Sequence, residues 1–262
     1  MPETNLATDS DRIIAIRDYW NRRIHDFDIV THPVGTPEFF EELDAYRFEK
    51  LHYLPALVDF TGFQGKSMLE IGCGAGVDLV RFAAGGAVCT AVDLSETAIG
   101  LARQNLAHRG LSADLRVMNG EALEFPDASF DVVYAHGVLQ YTAGAQAMVD
   151  EARRVLKPGG TFIAMVYNRR GWLAFMSKWF RVPLEHEDAP ALALYTVREF
   201  KCMLRGFTSV RIVPERFPVK SKLHQKGAKA LLFNTVFVGL FNAVPRAWTR
   251  RTGWHLMAFA EK

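Results

Sequence analysis

Residues 68–76 read Met-Leu-Glu-Ile-Gly-Cys-Gly-Ala-Gly, and a second apolar run, Ala87-Val88-Cys89-Thr90-Ala91-Val92-Asp93, closes on a carboxylate. The pattern predicts a buried strand, a glycine turn, a helix and a second strand ending in Asp93, which is a nucleoside-binding βαβ unit. Glycine spacing then separates the nucleosides. A dinucleotide fingerprint, G-x-G-x-x-G/A, counted from Gly72 and Gly74 requires Gly or Ala at position 77, and that residue is Val77. The glycines run G-x-G-x-G through Gly76 instead, with Glu70 just ahead of them. Such a turn lets backbone approach a ligand closely, because glycine lacks Cβ and accepts positive φ. Asp93 can accept charge-assisted hydrogen bonds from two ribose hydroxyls.

This stretch resembles motif I of the class I methyltransferases that use S-adenosylmethionine (SAM). Further segments extend the likeness over roughly residues 45 to 168 and the chain's end. Asn119-Gly120-Glu121-Ala122-Leu123-Glu124-Phe125 resembles the family stretch before the fourth strand, with Asn119 in place of the usual Asp. The resemblance implies that Asn119 receives the adenine amino group and that the Gly120 N–H meets a ring nitrogen. Leu94 is the expected apolar wall against the adenine, and the Ala135 carbonyl is expected to hold the methionine amino group. Arg154-Val155-Leu156-Lys157-Pro158-Gly159-Gly160 resembles the family's tail before strand five. The implied fold is a Rossmann-like α/β sheet, mostly parallel with an antiparallel last strand. The likeness is strongest to enzymes of the quinone and natural-product type.

Alternation along the chain supports this architecture independently. Strands are expected near 67–72, 87–93, 114–118, 130–135 and 160–167, and helices at 77–84, 95–109 and 144–156, an order that implies a parallel sheet with right-handed crossovers. Ser95 is a candidate N-cap, and Lys157-Pro158-Gly159-Gly160 carries helix-stop chemistry. A helix near 196–205, a strand near 207–213 and a last strand near 254–260 complete the sheet. The expected divisions are a helical lid (1–60, broken at Thr31 to Pro37), a SAM-binding core (61–214), a helical insertion (215–252) and the last core strand (253–262).

The 262 residues are 49% hydrophobic, enough for one α/β domain with additions. A net charge of only +2 argues against a nucleic-acid binder. The distribution is uneven: from Lys201 onward twelve Lys and Arg face only Glu215 and Glu261. Cys73, Cys89 and Cys202 form no CxxC pair, so neither zinc nor a disulfide framework is expected, and a reduced, cytoplasmic setting is the simplest inference. The opening Met-Pro-Glu-Thr-Asn-Leu lacks signal-peptide character.

Transfer from a sulfonium is an in-line displacement with a neutral leaving group, so alignment and water exclusion carry most of the barrier reduction and no metal is needed. His136, just past the fourth strand, is the first candidate for a general base, against the plainer reading of a loop-packing histidine. Tyr141 and Gln140 are candidates for orienting the acceptor. Tyr46, Arg47 and Tyr53, with His25, His32, His52 and His186, lie in regions placed to close over the site, and Arg47 reads equally as a structural ion pair. Glu185-His186-Glu187-Asp188 reads as a solvated acidic loop or a cation-seeking pocket. The apolar run Ala228 to Val244, with basic flanks, is too short to span a bilayer comfortably. It can lie on an anionic membrane through residues 228–251, cover an apolar pocket or meet a second subunit. The expected activity is methyl transfer from SAM, leaving S-adenosylhomocysteine, to an O, N or C atom of a mostly apolar or aromatic small molecule. The alternative is a SAM-binding sensor or scaffold without turnover.

Overall fold

The computed structural model describes residues 9–23, 26–219, 231–245 and 249–262. His25, Lys220, Lys222, Lys226, the start of the apolar run at Ala228 to Ala230, and Arg246 lie outside the described residues. Seven strands form one sheet: β1 (Ser67–Ile71), β2 (Val88–Asp93), β3 (Asp114–Val117), β4 (Phe130–His136), β5 (Leu156–Tyr167), β6 (Ser209–Glu215) and β7 (His255–Glu261), in the order β3-β2-β1-β4-β5-β7-β6. Neighbours from β3 through β5 pair in parallel, and β7 pairs antiparallel with both β5 and β6. Strand order reverses between β1 and β4, so the crevice beyond their carboxyl ends is the topological switch point where such sheets bind ligands.

Alternate residues of the central strands feed two cores, as a sheet covered on both faces requires. Met68, Ala91, Val132 and Tyr134 point to one face, where they meet Leu79 and Phe82 of α4 (Val77–Ala84) and Ile99 and Ala102 of α5 (Glu96–His108). Leu69, Ile71, Val133 and Ala135 point to the other, against Met148, Val149 and Val155 of α6 (Ala145–Val155) and Phe200 of α8 (Val197–Met203). Ser95 caps α5 as the sequence predicts, its Oγ accepting from the Ala98 N–H at 3.1 Å.

Two features depart from the expected boundaries. β5 begins at Leu156, straight after α6, so the Lys157-Pro158-Gly159-Gly160 stretch lies within the strand. The ladder absorbs it in a register shift between Phe130 and Val132. A helix not expected from the sequence, α7 (Trp172–Phe180), follows β5.

The N-terminal segment builds a roof from α1 (Asp9–Arg22), α2 (Pro37–Lys50) and the short α3 (Leu54–Leu57). Thr36 caps α2, accepting from the Phe39 N–H at 3.2 Å, and Pro37 occupies its first turn, where a missing N–H costs nothing. Phe39, Phe40 and Leu43 bury against Ala75, Val77 and Leu101. That packing docks the roof over the glycine turn. Within the described part of the insertion, a π-helical stretch, Leu232–Phe237, runs into α9 (Val238–Ala243).

Candidate functional site

One cavity of about 1400 Å³, mouth included, lies under α1 and α2 at the switch point. Its floor is the glycine turn. Gly72, Gly74 and Gly76 all take positive φ, at 72°, 54° and 74°. A Cβ at Gly72 would sit 2.2 Å from Cγ2 of Val138 in the loop after β4, so only glycine lets the β1 and β4 loops approach. Asp93 holds the turn's shape: its carboxylate accepts from the Gly74 N–H and from the Ser95 N–H, each at 2.9 Å. Burial pushes this carboxyl above its ordinary value, against those backbone hydrogen bonds. Each oxygen keeps a second lone pair for a ligand hydroxyl.

Glu70, at the end of β1, also lines the cavity. Its Oε2 is buried without a hydrogen-bond partner among the described residues. Burial first, and then the negative charge of Asp78, raise this carboxyl well above the usual range. Asp78 in the first turn of α4 is buried too, yet Arg47 from the roof outweighs that burial and holds its carboxyl below the ordinary value. The Arg47 fork grips both Asp78 oxygens, Nε to Oδ1 at 2.6 Å, and the Tyr134 hydroxyl donates to Oδ2 at 2.8 Å. Asp78 therefore has its cation, and Glu70 is left to seek one.

Beyond Asp93 the wall is Leu94, Met118, Asn119 and Gly120. The Asn119 Oδ1 already accepts from the Glu121 N–H at 3.0 Å, leaving one lone pair for an amine. Ala135 is buried within β4 and does not line the cavity; the next two residues, His136 and Gly137, do.

The opposite end is rich in polar side chains: His136, Tyr141, Tyr167, Glu185, Arg216 and His255 line it, with Lys50 from the roof. Hydrogen-bond direction fixes the imidazoles. Arg216 NH1 lies 3.0 Å from His255 Nε2, and Arg47 NH2 lies 3.2 Å from His136 Nδ1. A guanidinium only donates, so each of these ring nitrogens presents a lone pair. Burial, and then the Arg216 charge, hold His255 well below its usual pKa, hence neutral near pH 7. Its proton is on Nδ1, 2.6 Å from the Tyr53 hydroxyl, which therefore accepts it. A neutral His136 likewise carries its proton on Nε2, 3.5 Å from the same hydroxyl.

The acidic segment 185–188 finds the chain's own cations. Glu185 pairs with both terminal nitrogens of Arg216, at 3.0 and 2.5 Å, with Lys50 Nζ at 3.0 Å and with the Tyr167 hydroxyl at 3.0 Å. The Tyr141 hydroxyl donates to the Glu185 carbonyl at 2.9 Å, so this predicted orienting group is committed to the segment. Tyr19 of α1 meets His186 Nδ1 at 3.0 Å and donates to Asp188 at 2.8 Å; burial and Asp188 push its pKa up to about 12. Trp20 packs on Tyr141 and His186. Segment 185–188 thus fastens the roof to the sheet.

Lys50, Arg216, Asp78 and His255 escaped the sequence reading as site residues, and Glu185 entered it only within the acidic run read as a solvated loop or a cation-seeking pocket. His255 was within reach. It opens a strand antiparallel to its neighbours, pairs opposite Tyr167 at the end of β5, and so starts at the edge where the parallel strands finish.

Known proteins resemble the chain in sequence and in fold. Residues 69–164 match the family described as a methyltransferase domain. A ubiquinone biosynthesis O-methyltransferase from Azoarcus sp. (strain BH72) is 34% identical over 131 residues, 48% of this chain and 56% of that protein. The chain thus spans about half the length of this curated relative. A SAM-dependent methyltransferase from Thermotoga maritima shares the fold at a TM-score of 0.61 with 15% identity, covering 94% of this chain and 99% of that one. Geranyl diphosphate C-methyltransferase from Streptomyces coelicolor A3(2) does so at 0.60 with 18% identity, covering 98% of each chain. Glycine turn and strand order thus coincide with a methyltransferase-domain match over residues 69–164 of this chain.

Proposed function

We propose that the protein transfers a methyl group from SAM to an O, N or C atom of a mostly apolar small molecule. The observation that carries the reading is Glu70: a buried, unpartnered carboxylate oxygen beside a glycine turn and Asp93 suits a ligand with both an ammonium group and a ribose. Bound there, SAM supplies an activated methyl group on sulfur. Glu70 attracts the amino acid end, Asp93 accepts from the ribose, and Leu94, Asn119 and Gly120 flank the adenine. Ala135 contributes through the β4 terminus, where its successors His136 and Gly137 face the ligand. Val77 at the start of α4 leaves a nicotinamide dinucleotide without its glycine.

At the other end the His136 lone pair faces Arg47, so His136 in this arrangement acts toward an acceptor as a donor on its Nε2 side. Arg47, Arg216 and Lys50 are each paired with a carboxylate, Asp78 for the first, Glu185 for the second and both Glu185 and Asp26 for the third, while Ile13, Ile16, Trp20 and Met165 supply apolar walls. A molecule with an apolar body and one polar group fits this lining. The proposed divisions remain the lid (1–60), core (61–214), insertion (215–252) and last strand (253–262). Contact of residues 228–251 with a membrane surface in a cytoplasmic setting belongs to the same reading, with a homodimer as its alternative.

Incubation with methyl-labelled SAM and a panel of phenols, quinols and amines tests the activity. Labelled product is expected from an aromatic hydroxyl, and His136→Ala is expected to lower turnover, through loss of a hydrogen-bond donor to the acceptor, with SAM affinity nearly intact. SAM binding with no product from any acceptor would favour the sensor reading. Unchanged turnover in His136→Ala would make that residue structural.

A further inference from the structure

Two adjoining elements turn large apolar side chains outward. On α7, Phe175, Trp179 and Phe180 are 57%, 66% and 65% exposed; on the insertion, Leu231, Leu232 and Leu240 are 66%, 63% and 66% exposed. Aromatic contacts join the two. Trp172 lies 6.4 Å from Phe233 and 5.9 Å from Phe237, and Phe217 lies 6.4 Å from Phe241. One set of rings thus binds the helices together while a second set is left facing solvent. An apolar face of this kind marks a contact surface rather than ordinary scatter.

Charge identifies the occupant. Residues 169–184 and 216–260, which contain both elements, hold twelve of the chain's 31 Lys and Arg and none of its 29 Asp and Glu. Beside the aromatic face runs a groove lined by Arg170, Arg198, Lys201, Arg205, Arg250 and Arg251, with Phe217 in its wall and Glu215 the one carboxylate among its lining residues. Exposed Lys178 and Arg181 flank the end of α7. No described helix is long and apolar enough to cross a membrane. Apolar side chains rimmed by cations on a helix too short to span are the signature of an element lying in the plane of an anionic interface.

We propose that α7 and the insertion helix together dock the protein on a bilayer containing anionic lipid. Phe175, Trp179, Phe180 and the insertion leucines enter the acyl boundary, and the arginine groove takes lipid phosphates. The insertion half rests on the membrane reading given above; α7 and the groove are added to it. Docking also bears on substrate delivery. Trp172 of α7 donates its indole N–H to the Arg216 carbonyl at 2.8 Å, and Arg216 lines the acceptor end of the cavity. The membrane face therefore adjoins the end of the cavity where an apolar acceptor is used.

The test is flotation of the whole protein with phosphatidylcholine vesicles, with and without about 30% phosphatidylglycerol. Capture is expected on the anionic vesicles, little on phosphatidylcholine alone, and release at about 0.5 M salt. Trp179→Ser with Phe180→Ser is expected to weaken capture by at least about tenfold, with SAM affinity by calorimetry unchanged. Equal capture on both vesicles, or undiminished capture of that double variant, would overturn the proposal. If Leu232→Ser with Leu240→Ser alone abolishes capture, the insertion reading survives and the role of α7 falls. If no vesicle is captured while SAM still binds, both membrane readings fall and the methyltransferase reading stands. Light scattering that shows a dimer converted to monomer by the α7 variant would make a second copy the occupant instead.

Discussion

Replacing Glu70 by Gln removes a buried titratable group whose Oε2 lacks a partner, and so separates what this residue does for folding from what it does for binding. Its carboxyl is raised by burial and by Asp78. The folded protein therefore holds a proton that the unfolded chain has already released, and stability drains away as pH climbs above the unfolded value of about 4.3. Glu70→Gln is expected to raise the Tm of the cofactor-free protein by a few degrees, more at pH 8 than at pH 5, and to weaken SAM binding by roughly tenfold. Thermal melts at both pH values with a parallel SAM titration check this. A lowered Tm at pH 8 would mean that Glu70 is already balanced in the folded chain. At this scale the sequence was informative where backbone chemistry dictates residue type: Gly72 at positive φ against Val138, and Asp93 at a strand end. It was uninformative for Lys50, Asp78 and Arg216, because each takes its role from partners distant in the chain.

Helices and strands were legible in proportion to the regularity of their burial. The strands β1, β2 and β4, apolar on both faces, and the capped α5 fell close to their expected limits. Helix α7 did not, since it is only nine residues long, Gly171 before it supplies no capping side chain, and it buries Leu173 while exposing Phe175, Trp179 and Phe180. Segment 181–196 carries no apolar rhythm either, yet it fastens the roof. Because Tyr19 and Arg23 reach Asp188 at 2.8 and 2.7 Å, Tyr19→Phe with Asp188→Asn removes two ties between α1 and the sheet. Stopped-flow fluorescence of Trp20 is expected to show cofactor release about 3- to 10-fold faster, from a loss of roughly 1 kcal/mol, with Tm nearly unchanged. Release at the parent rate would show that opening of α1 does not limit exit.

Across the whole molecule, the parallel sheet and its switch point set the position of every group in the site. The carboxyl ends of β1, β2 and β4 supply Glu70, Asp93 and His136; β7, running the other way, begins at the same edge and adds His255. Roof, sheet and segment 185–188 enclose a cavity that carries Glu70, Asp93 and Asn119 along one side and Lys50, Glu185, Arg216 and His255 at the other end. The proposed function takes SAM as the ligand of this cavity. Calorimetric titration of the intact chain with SAM, repeated on Asp93→Ala, is the most direct test. Saturable one-to-one binding is expected, weakened by roughly one to two decades in the variant, since two hydrogen bonds to a charged acceptor contribute about 1.5–3 kcal/mol each and water recovers part of that. No uptake of SAM or S-adenosylhomocysteine, alongside saturable uptake of a nicotinamide dinucleotide, would contradict the account.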